Sequence, residues 1–163
     1  MAHRPFTIVA GTAALTGGAL RIIAIFTTSA FAPQTLAWFY FLIDVLLMLG
    51  LVGWYVPRAD RLGGFGLTGF VTAAGAILLI RSAGLLGADT YQAGAALLAV
   101  GLAVMSAPAL WRQDKPLLAP ILWLLCLTGG IAALVFRPVA MAAFVLFGLG
   151  YIAAGVELLR KRA

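Results

Sequence analysis

The chain has 163 residues, of which 64% are apolar and 10% charged, and a mean hydropathy of +1.10. That is far too apolar for a water-covered soluble domain, and it points to a chain built for lipid. A net charge of +6 and pI near 10.3 would suggest nucleic acid in a soluble protein, but the basic residues here sit mostly at the ends of apolar runs, where they report topology instead.

Six stretches are long enough to cross a hydrocarbon core of ~30 Å at ~1.5 Å per residue. They are roughly 6–30, 35–56, 65–86, 91–111, 117–136 and 138–159. The spacing predicts an all-α polytopic membrane protein, one transmembrane domain over 1–163, with six helices in three hairpins.

The first stretch follows His3-Arg4 and carries Ala10, Ala14 and Gly18 every four residues. A signal peptide would have the same outline, yet the apolar run is too long for an ordinary signal core. Arg21 lies toward its outer end. The second stretch opens on Trp38-Phe39-Tyr40 and closes on Trp54-Tyr55, which read as interfacial anchors ~24 Å apart. Asp44 lies between them, deep in the run.

The loop after it holds Arg58, Asp60 and Arg61, and Gly63-Gly64-Phe65-Gly66 then mark a tight turn at a helix start. The third stretch carries Arg81 toward its outer end and leads to Asp89. In the fourth, Ala95, Ala99, Ala103 and Ala107 form a small-residue stripe, read either as ordinary packing within the bundle or as a seam for a partner or a second copy. Arg112, Asp114 and Lys115 follow. The fifth contains the lone Cys126, the sixth starts after Arg137-Pro138, and the chain ends with Glu157 and Arg160-Lys161-Arg162. Pro108 and Pro120 read as punctuation near helix ends.

Eight of the eleven Lys and Arg residues fall on one side of this plan. The positive-inside rule makes that side the cytoplasm and places both termini there. Abundant Ala and Gly, and nine Arg against two Lys, suggest a bacterial chain and hence a multi-pass protein of the inner membrane. Membrane lipids, anionic ones at the basic surface, are the first expected partners. A membrane-protein partner or a second copy is the next.

The three hairpins show internal repetition. Thr16-Gly17-Gly18, Thr72-Ala73-Ala74-Gly75 and Thr128-Gly129-Gly130 each precede an outer arginine, and Gly50, Gly101 and Gly148 each precede a leucine. The closing segment, Gly130 to Arg137-Pro138 and on through Gly148-Leu149-Gly150 to Gly155-Val156-Glu157-Leu158, resembles the hairpin repeat of HdeD-like small bacterial membrane proteins. The resemblance implies a three-hairpin bundle associated with stress resistance and brings no catalytic residues with it.

One His, one Cys and five acidic residues supply no paired carboxylates, no nucleophile with its base and no metal-ligand set, and no phosphate loop is present. The expectation is a chain that is not an enzyme and carries no cofactor, metal or nucleic acid. The polar cluster to watch is Arg21, Asp44 and Arg81, because a charge at membrane depth is costly unless paired or watered. Arg21 and Asp44 lie at similar depth on consecutive antiparallel helices and could meet, read either as a buried salt bridge that fixes how the first two helices pair or as a proton or ion relay or a site for an anionic headgroup. Arg81 is expected to snorkel outward rather than join Asp44, and Glu157 to be wetted beside Arg160 and Lys161.

Two functions remain open. A non-catalytic accessory subunit or stress-associated bundle would bond Arg21 to Asp44 with no cavity. A small transporter or channel would open a crevice onto the Arg21, Asp44 and Arg81 side chains.

Overall fold

The computed structural model describes residues 3–27, 32–86, 90–113 and 115–160, with the backbone alone at 3–4 and 83–86. Arg4's side chain, Asp89, Asp114, Lys161 and Arg162 therefore lie outside the described side chains. Within these limits the chain is all-α: α1 His3–Thr27, α2 Pro33–Tyr55, a 3-10 turn Val56–Arg58, α3 Ala59–Leu86, α4 Thr90–Trp111, α5 Leu118–Ala133 and α6 Val139–Arg160.

Four helical stretches are long and apolar enough to cross a membrane: Pro5–Thr27, Pro33–Ser82, Thr90–Trp111 and Val139–Arg160. The second takes in α2, the turn and most of α3. The turn between them comes where the sequence places it. Pro57 falls in the 3-10 segment, and Gly63 adopts φ 61°, ψ −156°, a left-handed backbone that costs glycine no Cβ clash. α5 is shorter than expected: its helix stops at Ala133, and Leu134 and Val135 donate instead to carbonyls three residues back. Pro138 has no N–H to give to the Leu134 carbonyl, so the helix cannot run on through this turn.

α3 lies along α4, α1 along both α6 and α2, and α5 along both α6 and α4, whereas α2 and α3 touch only lightly. The close pairs meet backbone to backbone. A Cβ on Gly101 would lie 2.5 Å from the Ala73 nitrogen, and one on Gly18 2.5 Å from the Gly148 carbonyl oxygen. Helices apolar enough to sit in lipid gain little there by hiding apolar surface, and close packing of this kind supplies the attraction. Ala10 and Ala14 are wholly buried, facing Gly53 and Gly50 of α2.

The core runs the length of the bundle and is filled by large rings. Trp54 and Trp123 meet edge to face with centroids 5.2 Å apart, Trp123 meets Tyr151 at 5.4 Å, and Tyr151 meets Phe147 at 5.1 Å. Trp54 is thus a core residue, 0% exposed, and not the interfacial anchor its position at the end of the run suggested. Trp38, 67% exposed, remains on the outside.

Gly101→Leu is expected to lower thermal stability in detergent by about 1–3 kcal/mol through overpacking. Gly75→Ala, where a Cβ meets nothing within 4 Å, is expected to hold or raise it. Thermal melts of both variants by circular dichroism check the contrast.

Candidate functional site

Two clusters of charge lie between the apolar helices, near opposite ends. Toward the end where α1 finishes and α2 begins, Arg81 of α3 donates through Nε to Asp44 Oδ2 of α2 at 2.9 Å, with a second, shorter contact from Nη2. Its Nη1 also reaches the Ala37 carbonyl at 3.4 Å. Arg81 thus joins Asp44 and does not snorkel away from it. The physical reason is the loose α2–α3 contact, which leaves room for a long side chain to cross and satisfy a half-buried carboxylate.

Arg21 does not bond to Asp44, although their similar depth would let them meet. Its Nη2 donates to the Tyr91 hydroxyl of α4 at 3.0 Å, and its guanidinium stands 5.5 Å from the Tyr40 ring centroid and 5.8 Å from that of Phe144. Depth was the only coordinate the linear pattern supplied, and the rotation of each helix about its axis chose the partner. The cation is held by ring faces from α2 and α6.

The second cluster, at the other end, was missed. Glu157 is 5% exposed and Arg58 1%, so the expectation of a wetted Glu157 is overturned. Its Oε2 accepts from Trp54 Nε1 at 3.0 Å and from Arg58 Nη2 at 3.4 Å, and its Oε1 from the Ala119 backbone N–H at 3.3 Å. Arg58 also donates to the Trp54 carbonyl at 2.9 Å and lies 4.4 Å over the Trp54 ring. One carboxylate therefore joins α2, the turn after it, α5 and α6. A signal was available in the sequence: Glu157 lies one turn inside the last apolar run, with Trp54 the matching end residue of the second.

The aromatic column occupies the length between these clusters, with Phe147 and Tyr151 lying along α6 between Phe144 and Glu157. The Tyr151 hydroxyl and Trp123 Nε1 are buried and have no hydrogen-bond partner among the described residues. Of the alanine stripe, Ala103 is buried, Ala95 and Ala99 are half-buried and Ala107 is exposed. The most buried face of α4 runs instead through Gly94, Leu98, Gly101, Leu102 and Met105. Cys126 is buried and free, and no group of three potential metal ligands occurs among the described residues.

Comparison with known proteins finds no family model, no curated protein and no solved structure that matches the chain.

Glu157→Gln and Arg58→Met are each expected to destabilise the detergent-solubilised protein by ~3–5 kcal/mol, because each removes one charge of a buried ion pair, and the double variant by less than the sum. Unfolding of the four proteins of the cycle in one denaturant series measures the coupling. Tyr151→Phe is expected to leave stability unchanged or raise it, since it removes a buried hydroxyl that makes no bond; the same unfolding assay reads it.

Proposed function

We propose that this chain is a non-catalytic integral membrane protein of the bacterial inner membrane, six helices crossing as three hairpins, serving as an accessory subunit of a larger membrane assembly. The observation that carries the reading is the filled centre of the bundle. Trp54, Trp123 and Tyr151 are wholly buried and Phe147 nearly so, and they pack ring against ring between the Asp44–Arg81 and Glu157–Arg58 ion pairs. Packed rings leave dispersion contacts where a conduit needs water. In this reading the charges pin helices together, though Asp44 is answered by Arg81 across α2 and α3 and not by the Arg21 that the accessory reading called for, and Glu157 by Arg58, Trp54 and α5.

The orientation, with both termini cytoplasmic, is supported by the gathering of basic residues at one end. Arg112 donates to the Arg61 carbonyl, Arg58 binds Glu157, and Arg160 stands exposed one turn beyond. Such an excess marks the cytoplasmic side. The HdeD-like residues fall on α5, α6 and the turn between them, and in that resemblance the same bundle would belong with stress-associated proteins. The half-buried Ala95 and Ala99 and exposed Ala107 offer a partner a shallow, small-residue edge on α4.

Purification from the native membrane in mild detergent is expected to retain stoichiometric membrane-protein partners, identified by mass spectrometry. Proton or ion flux into vesicles that contain the purified chain, abolished by Asp44→Asn, would overturn the reading in favour of a transporter or channel. In a Cys126→Ala background, Gly64→Cys and Lys115→Cys are expected to label from the cytoplasmic side only and Arg137→Cys from the outer side only.

A further inference from the structure

The basic end of the bundle carries a second feature that the charge clusters do not use. A groove of about 760 Å³ opens between α5 and α6, lined by Leu118 and Leu122 on one side and by Leu149, Ile152 and Val156 on the other, with Arg160 at its end. From Leu149 to Arg160 it follows 11 residue steps of α6, ~17 Å at the rise of a helix. That is about half of a hydrocarbon core of ~30 Å, the depth of one leaflet.

The lining is apolar along this length and changes character only at the end. There the exposed Arg160 closes α6, and the exposed Lys115 adjoins Pro116, which lines the groove. Glu157 also borders the groove, but its oxygens are turned to Trp54, Arg58 and the Ala119 N–H, so its charge is answered from within the bundle. What the groove offers a ligand is an apolar channel one acyl chain deep with the Arg160 guanidinium at its end and the exposed Lys115 next in sequence to its lining. A guanidinium suits a phosphate by geometry as well as by charge.

We propose that this groove binds an anionic phospholipid of the leaflet at the basic end, one acyl chain lying between α5 and α6 and the headgroup phosphate held at Arg160 and Lys115. The site rests on the chain being an integral membrane protein, as proposed above, and it gives the expected preference for anionic lipid a definite place.

Native mass spectrometry of the full chain in mild detergent, titrated with phosphatidylglycerol or phosphatidylcholine, tests it. One phosphatidylglycerol per chain is expected to be retained at least tenfold better than phosphatidylcholine. The Lys115→Glu/Arg160→Glu double variant is expected to lose that preference, Arg160→Lys to keep most of it, and Val156→Trp, which places a ring in the groove, to lose retention of both lipids. Helix content by circular dichroism identifies any variant that has not folded, and the exposed positions of Lys115 and Arg160 keep the charge test independent of folding. Equal retention of the two lipids, retention untouched by the variants, or a lipid-free dimer closed over α5 and α6 would overturn the proposal. Lipid retention is read in detergent without regard to orientation, whereas the cysteine labelling reads orientation alone, so failure of one is separable from failure of the other.

Discussion

A carboxylate taken out of water must be answered on every side, and Glu157 is where this constraint organises the molecule. Its acceptors are met by an indole N–H from α2, a guanidinium from the turn after α2 and a backbone N–H from the first turn of α5. The last contact matters for local structure as well. α5 has no side-chain cap of its own, since Leu117 stands at the cap position. Glu157 accepts one of the orphan N–H groups that every helix start leaves open. Its negative charge also sits at the positive end of the α5 dipole. A helix of 16 residues is thereby started by a residue 38 positions further along the chain.

The remaining helices close a ring around the aromatic column, and its weakest joint is the one between α2 and α3. There the helices touch lightly. Tyr55 and Phe70 stack at 4.4 Å with planes 11° apart near the turn, and the Asp44–Arg81 ion pair spans the joint further out. This explains why Arg81 and not Arg21 reaches Asp44. The tighter α1–α2 interface is filled by Ala10, Ala14, Gly50 and Gly53, whose close approach leaves Arg21 to be directed toward Tyr91, Tyr40 and Phe144. Arg81 and Asp44 keep 35% and 17% side-chain exposure, against 1% and 5% for Arg58 and Glu157, so this pair lies nearer the outer surface of the bundle than the inner one.

The repeated marks along the chain acquire different meanings in three dimensions. Gly50 packs against Ala14 and Gly101 against Ala73, each within its own helical pair, but Gly148 packs against Gly18 of α1. The third mark thus closes the ring instead of closing its own pair. Equivalent positions in sequence do not occupy equivalent positions in the bundle, because a ring needs one contact that joins its first helix to its last.

The sequence by itself determined the helical class, the approximate extent of the apolar helices, the Gly63 turn and the separation of basic loops from the rest. All of these are properties of a segment and its solvent: length against membrane thickness, hydropathy, and the cost of charge in lipid act on each helix alone. The tertiary structure decided the rotation of each helix about its axis, and with it every pairing of charges. Depth can be counted along a chain, but azimuth is set by which small residues let two backbones meet. Hence Arg21 turned to Tyr91, Arg81 to Asp44, Trp54 inward, and Glu157 into the core and away from its sequence neighbours Arg160 and Lys161.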